Sequence, residues 1–168
     1  MIAYFWLVNS KMKVLYICLM IMGCSGHATA QAFRLFTMRE GLSQMKITAL
    51  HIDKRGYLWI GTRNGLNKFD GEKFTVFTEQ DGLLHNRIHG IDEDTSGNLV
   101  ILTYNGLSLY NGQKFSSYPQ PFTSVLFDLA VDHTNTIWIC ERYANPTLYA
   151  FRKGIYKPVL KNMGSLRF

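Results

Sequence analysis

The sequence predicts an all-β fold made of repeated four-stranded antiparallel units, and three observations predict it. First, the chain is self-similar at a spacing of 41 residues. Gly41-Leu42 returns as Gly82-Leu83; Gly56, Gly65 and Leu66 return as Gly97, Gly106 and Leu107; Phe69, Phe74 and Phe77 return as Tyr110, Phe115 and Tyr118. Second, the short apolar runs alternate with polar residues, as in Ile47-Thr48-Ala49-Leu50-His51-Ile52, and no helical periodicity of about 3.6 residues competes with them. Third, turn-forming residues separate these runs at regular intervals. Fixed repetition at about 40 residues means one supersecondary unit used several times. Four short strands in such a unit make the blade of a β-propeller. The expectation is therefore a partial β-propeller, with blades near 42–78, 83–119 and 124–160.

The first thirty residues stand apart. Lys11 and Lys13 flank Met12 ahead of the apolar run Val14 to Met22, which gives way to small residues and Ala28-Thr29-Ala30. These are the parts of a secretory signal peptide, and the apolar run falls well short of the roughly 20 residues that cross a bilayer. The reading is a signal peptide over 1–30, cleaved after Ala30, with Met12 as the working start and the product exported to the periplasm or cell envelope. Ile21-Met22-Gly23-Cys24 weakly resembles a lipoprotein box, so lipidation at Cys24 is the alternative.

Counting 41 residues back from Phe74, Phe77 and Thr78 reaches Phe33, Phe36 and Thr37, so the domain 31–168 is expected to open with a closing strand at 33–37. In the first blade, strand Ile47–Ile52 leads to the turn Asp53-Lys54-Arg55-Gly56. There, aspartate accepts a turn N–H, and glycine tolerates positive φ. Strand Tyr57–Thr62 carries Trp59 and ends at Asn64-Gly65, a two-residue hairpin signal. Strand Leu66–Phe69, the hairpin Asp70-Gly71 and strand Lys73–Phe77 complete the unit. The second blade repeats it with Ile88–Asp92, Asp94 to Gly97, Asn98–Thr103, Asn105-Gly106, Leu107–Tyr110, Asn111-Gly112 and Lys114–Tyr118. The third keeps strands but blurs turns. Asp132-His133-Thr134-Asn135 replaces the first turn, Ile137-Trp138-Ile139 is the second strand, and Leu148, Phe151 and Tyr156 stay in phase. The next unit is expected to begin near residue 170, past Phe168, so the chain reads as an N-terminal fragment of a larger ring.

Charge and cysteine content narrow the function. The formal charge is +6, and loss of the two leader lysines lowers it to +4, with the remaining cations scattered. Nucleic-acid binding normally shows a basic stripe, and none is visible. Beyond the leader, Cys140 stands alone at the position of Gly61 and Leu102, which suits a small buried hydrophobe.

The singled-out residues read as structural. Trp59 and Trp138 recur at one position and suit inter-blade packing. Gly61, Gly65, Asp70, Gly71, Gly97, Gly106 and Gly112 are the other repeat positions, and Asp53, Asp94 and Asp132 cap turns. His85 and His89 are four apart without helical geometry, a poor metal pair. No Ser-His-Asp or paired-carboxylate grouping concentrates anywhere, so no catalytic, cofactor or metal residue is assigned and the chain is not read as an enzyme. The loops Glu79–Arg87, Pro119–Ser124 and Glu141–Thr147 differ between blades and are where recognition would be built. Phe122 and Tyr143 there suit stacking on a sugar ring and equally suit packing.

The pattern Gly-Leu-Ser-Gln, then Leu58-Trp59-Ile60-Gly61-Thr62, Asn64-Gly65-Leu66 and Phe69-Asp70-Gly71, closely resembles the two-component regulator propeller repeat. The resemblance covers residues 33–118 well and 123–159 loosely. It implies the periplasmic sensor region of a bacterial hybrid two-component protein, a small extracellular ligand such as a glycan fragment, and signalling through missing blades or a C-terminal partner. The second copy departs at Val100-Ile101-Leu102 and the third at Cys140. Two alternatives stay open: a propeller-type carbohydrate-active enzyme, which would need acid and base residues at the ring centre, and an inactive truncated reading frame.

Overall fold

The computed structural model describes residues 34–121, 126–141 and 147–160. Phe33, the leader with Cys24 and Ala30, and the loop residues Phe122 and Tyr143 lie outside the described residues. The chain divides into two units, Met1–Leu35 and Phe36–Phe168. Of the first, only Arg34 and Leu35 are described, and both are exposed.

The second unit holds three four-stranded antiparallel sheets, each a meander of sequence neighbours. Blade 1 is β1 (Ile47–Ile52), β2 (Leu58–Thr62), β3 (Leu66–Phe69) and β4 (Phe74–Phe77). Blade 2 is β5 (Ile88–Glu93), β6 (Leu99–Thr103), β7 (Gly106–Tyr110) and β8 (Phe115–Pro119). Blade 3 is β9 (Leu126–Val131), β10 (Ile137–Glu141), β11 (Leu148–Arg152) and β12 (Ile155–Leu160). The all-β, propeller-like expectation is met.

The core lies between blades, not within them. On β6, side chains alternate faces as strand geometry requires. Leu99 and Ile101 join Trp59, Leu66, Leu83 and Ile88 on the blade 1 side. Val100 and Leu102 join Leu107, Leu126, Ile137, Ile139 and Phe151 on the blade 3 side. Every residue of β6 is buried, which explains why its sequence is a continuous apolar run rather than an alternation. Each such side chain buried contributes about 1.5–3 kcal/mol.

An aromatic triad marks each blade junction, repeated in the 41-residue register. Phe77 lies 5.5 Å from Tyr110 and 5.7 Å from Phe115, ring centre to ring centre. One repeat later Tyr118 lies 5.1 Å from Phe151, which is 4.7 Å from Tyr156. One repeat earlier Phe36 lies 4.8 Å from Phe69 and 5.5 Å from Phe74. Tilted and edge-on pairs of this kind add about 0.5–1.5 kcal/mol beyond area burial. The second junction is also bolted by hydrogen bonds: the Tyr156 hydroxyl donates to the Tyr118 carbonyl at 2.7 Å and accepts from the Leu107 N–H at 3.2 Å. Burial pushes that hydroxyl up to about 12, with the Leu107 N–H pulling weakly the other way.

Three local expectations need correction. Residues 34–37, where a closing strand at 33–37 was expected, are not in a strand. Phe36 nevertheless takes the place that Phe77 and Tyr118 take in the later junctions, so ring packing rather than a hydrogen-bonded ladder seats this segment. The Asn-Gly hairpins are not both-residues-positive turns, since Asn64 and Asn105 are absent from the positive-φ residues. At the first, the Thr62 side chain closes the loop instead, accepting from the Asn64 N–H at 2.9 Å and donating to the Gly65 carbonyl at 3.0 Å. The turn with two consecutive positive φ values is Lys153-Gly154, at 49° and 82°, where no asparagine signalled it.

The departures from the repeat have a packing cause. A Cβ on Gly61 would lie 2.7 Å from Ile88 Cγ2 and 3.2 Å from the Ala49 Cβ. In blade 2 the small residue has moved strands. Leu102 stands where Gly61 stood, and Gly90 replaces Ala49, with Leu129 of blade 3 at the place of Ile88. A Cβ on Gly90 would lie 3.1 Å from Leu129 Cδ2. The space beneath the next inner strand is kept while the residue that provides it changes.

Candidate functional site

Each blade has two ends. One carries the β1–β2 and β3–β4 turns; the other carries the β2–β3 hairpins and the connections between blades. At the turn end, the aspartates hold the fold. Asp53 Oδ1 accepts the Arg55 and Tyr57 N–H groups at 3.0 and 2.9 Å, and its Oδ2 accepts the Trp59 indole N–H at 2.9 Å. Asp132 repeats this with Thr134, Thr136 and the Trp138 indole. In blade 2, where Val100 replaces tryptophan, the free oxygen of Asp94 takes the Asn98 side-chain amide at 2.8 Å. Burial raises the Asp53 carboxyl, but the Trp59, Tyr57 and Arg55 donors outweigh it and hold it below its ordinary range. These carboxylates are committed to capping their turns and, in blades 1 and 3, to holding the indole N–H.

The remaining repeat positions are also embedded in the framework. Trp59 is 1% exposed and stacks 5.8 Å from Phe77 and 5.8 Å from Tyr110 of the next blade. Trp138 is half-buried. Asp70 caps its hairpin by accepting from Glu72 and Lys73 N–H groups. Gly65, Gly71, Gly97, Gly106 and Gly112 all sit at positive φ, and Gly61 does not. Cys140 is half-buried, and burial pushes its thiol up, away from nucleophile behaviour. Among the described residues no group of three or more His, Cys, Asp or Glu could hold a metal.

The hairpin end has a different chemistry. Its Gly-Leu-Ser segment is locked by side chains: Ser43 N–H donates to Asn67 Oδ1 at 2.8 Å, and the Ser43 and Thr62 hydroxyls share a 2.8 Å bond. One repeat on, the Leu84 N–H donates to the Ser108 hydroxyl at 2.9 Å. Glu79–Asp81 is a short 3-10 helix with a capping box from Thr78 and Asp81, as Met38–Glu40 has from Thr37 and Glu40. The 79–87 connection is further pinned by reciprocal bonds between Glu79 and Asn86, both 2.9 Å. This loop, expected to vary for recognition, is rigidly held.

On that rigid connection sits one cluster of cationic and aromatic groups. The Arg87 N–H donates to His85 Nδ1 at 2.9 Å, and the Tyr104 N–H donates to the Arg87 carbonyl at 2.9 Å. The Tyr104 ring lies 5.5 Å from the His85 ring, 6.3 Å from the His89 ring and 5.3 Å from the Arg87 guanidinium carbon. His89 Nε2 is buried, with no hydrogen-bond partner among the described residues. Burial, then the Arg87 and Arg63 cations and the neighbouring His85, push the His89 imidazole below its ordinary value. His85 and His89 thus meet across a tyrosine rather than as a metal pair. Arg87 closes the loop that the sequence set aside for recognition, but Tyr104 was missed, because it meets Arg87 only through the β5–β6 register that pairs Ile88 with Thr103. A cleft between blades 2 and 3, lined by Val100, Leu109, Tyr118 and Phe151 among others, holds about 210 Å³. That is smaller than typical small-molecule pockets of roughly 300–1,000 Å³.

Known proteins place this architecture. Residues 41–64 match the family model described as two component regulator propeller. A stretch of 39 residues is 56% identical to histidine kinase P4 of Formosa agariphila, covering 23% of this chain and 3% of that protein. The extracellular domain of the hybrid two component system BT3049 from B. thetaiotaomicron superposes with a TM-score of 0.61 at 25% identity, covering 74% of this chain and 19% of that one. The corresponding domain of BT4673 gives 0.57 at 28% identity, over 67% and 16%. A catalytically inactive virginiamycin B lyase from Staphylococcus aureus gives 0.59 at 17% identity over 70% and 42%, a likeness of fold alone. The chain spans about a fifth of the length of the solved extracellular domains. Among the described residues no helix is long and apolar enough to cross a membrane. Residues 41–64 thus match the two component regulator propeller repeat, and the chain shares its fold with the extracellular domains of hybrid two-component systems.

Proposed function

We propose that this chain is the ligand-sensing part of a two-component signalling system, exported by its leader to the periplasm or cell envelope. It takes a small extracellular molecule, a glycan fragment being the class expected from the resemblance, and passes the change to further blades or a C-terminal signalling partner. The observation that carries this reading is the repeat at 41–64 together with the fold shared with extracellular sensor domains. Regulator propellers are sensor domains rather than enzymes in themselves, and the full engagement of Asp53 and Asp132 in turn capping agrees with that role.

The outer faces support a partner of the same architecture. On β1, Leu50 and Ile52 are 60% and 69% exposed, and on blade 3 Phe127, Ile155, Val159 and Leu160 are exposed as well. Apolar sheet faces of this kind are what inter-blade packing covers elsewhere in the molecule. Calorimetric titration of the full chain with a panel of oligosaccharides tests the reading. Saturable binding of at least one, with a gain of about 2.7 kcal/mol in stability at a hundredfold excess over Kd, is expected. A folded chain that binds none of them would contradict it.

A further inference from the structure

We propose that Arg63, His85, Arg87, His89 and Tyr104 form a binding site for an oxyanion, a carboxylate or sulfate group carried by the ligand. The proposal rests on the ligand-sensing reading and names the chemistry that the ligand must bring. Three observations carry it. The first is placement: Arg63 is in the β2–β3 hairpin of blade 1, His85 and Arg87 are in the blade 1–2 connection, His89 is on β5, and Tyr104 is in the β6–β7 hairpin. His85, Arg87, His89 and Tyr104, from three segments, converge at the hairpin end of blade 2, and Arg63 of blade 1 acts on His89 electrostatically.

The second observation is donor orientation. His85 Nδ1 accepts the Arg87 backbone N–H, so in the neutral ring the proton sits on Nε2, which is left to donate. His89 Nε2 is buried and has no hydrogen-bond partner among the described residues. An unpaired buried polar atom costs about 1–3 kcal/mol, a cost that a bound acceptor removes when this nitrogen carries its proton. The third is charge. The groups acting electrostatically on His89 are Arg87, Arg63 and His85, all cationic or protonatable, with no carboxylate among them. The Arg63 and Arg87 cations both act on this imidazole, and an oxyanion would offset them through charge-assisted hydrogen bonds. Tyr104 supplies a flat apolar face beside the donors, partly covered by the Arg87 guanidinium. This suits the ring of an acidic sugar as well as a free ion.

The test uses the full chain labelled for histidine NMR, with sodium sulfate, D-glucuronate and D-glucose as separate probes. The expected result is that sulfate and glucuronate shift the His85 and His89 imidazole signals saturably and raise the His89 pKa, while His51 and His133 stay still. Glucuronate binding more tightly than sulfate identifies an acidic sugar; equal binding identifies the bare oxyanion as the recognised group. Arg87→Gln and Arg63→Gln should each weaken glucuronate about tenfold, equivalent to about 1.4 kcal/mol, with Arg39→Gln unchanged. Glucuronate binding without any response from His85 or His89 would overturn the oxyanion site while leaving the sensing role standing. Uniform shifts of all histidines, or none with either anion, would overturn the site as well.

Discussion

Replacing Trp59 by alanine should destabilise the propeller unit by about 3–5 kcal/mol, read by urea unfolding of the full chain. The indole is 1% exposed and touches two blades, stacking on Phe77 and meeting Tyr110 edge-on. Truncation would open a cavity at the junction and strip Asp53 Oδ2 of its buried donor. Trp59→Phe separates the two contributions. It retains most of the packing but leaves Asp53 short of one hydrogen bond, so a loss of about 1–3 kcal/mol is expected. A Trp59→Ala loss under 1 kcal/mol would mean that the blades do not hold one another at this junction.

Gly106→Ala should cost about 2–5 kcal/mol, since it combines a left-handed backbone with a collision. Gly106 has φ of +131°, and a Cβ there would lie 2.5 Å from the Tyr118 carbonyl and 2.7 Å from the Gln120 nitrogen. Both are backbone atoms of the neighbouring strand and its continuation, so neither can rotate away. Gly71 is the control: its φ is +101°, but nothing lies within 4 Å of a Cβ. Gly71→Ala should therefore lose only the conformational cost of about 1–2 kcal/mol. Equal losses at the two positions, measured as unfolding midpoints, would show that the steric argument is wrong.

The blades were legible because their signals are local. Alternation, turn residues and the 41-residue spacing each operate within a few residues, and they located the strands of blades 1 and 2 to within about one residue. The aromatic junctions were half legible. Phe77, Tyr110 and Phe115 stood out as repeating, but their meeting across two sheets is a tertiary fact. What was lost depends on contacts between blades. Ser43 and Asn67 are 24 residues apart and share a hydrogen bond only after the Gly-Leu-Ser segment folds back on the hairpin. Thr37 with Glu40 and Thr78 with Asp81 were readable as capping boxes, and that spacing could have revealed the two short 3-10 helices. The Arg87–Tyr104 pairing follows from the β5–β6 ladder, in which Ile88 faces Thr103, and that register is not written in the 41-residue spacing.

The central claim is that neighbouring blades, rather than any blade alone, bury the core on which the connecting loops stand. Hydrogen–deuterium exchange on the full chain tests this most directly. The account predicts slowest exchange in β6 and β7, where β6 is covered on both faces, and fast exchange in β1 and β12, whose apolar side chains are largely exposed. Equal protection of β1, β6 and β12 would contradict it.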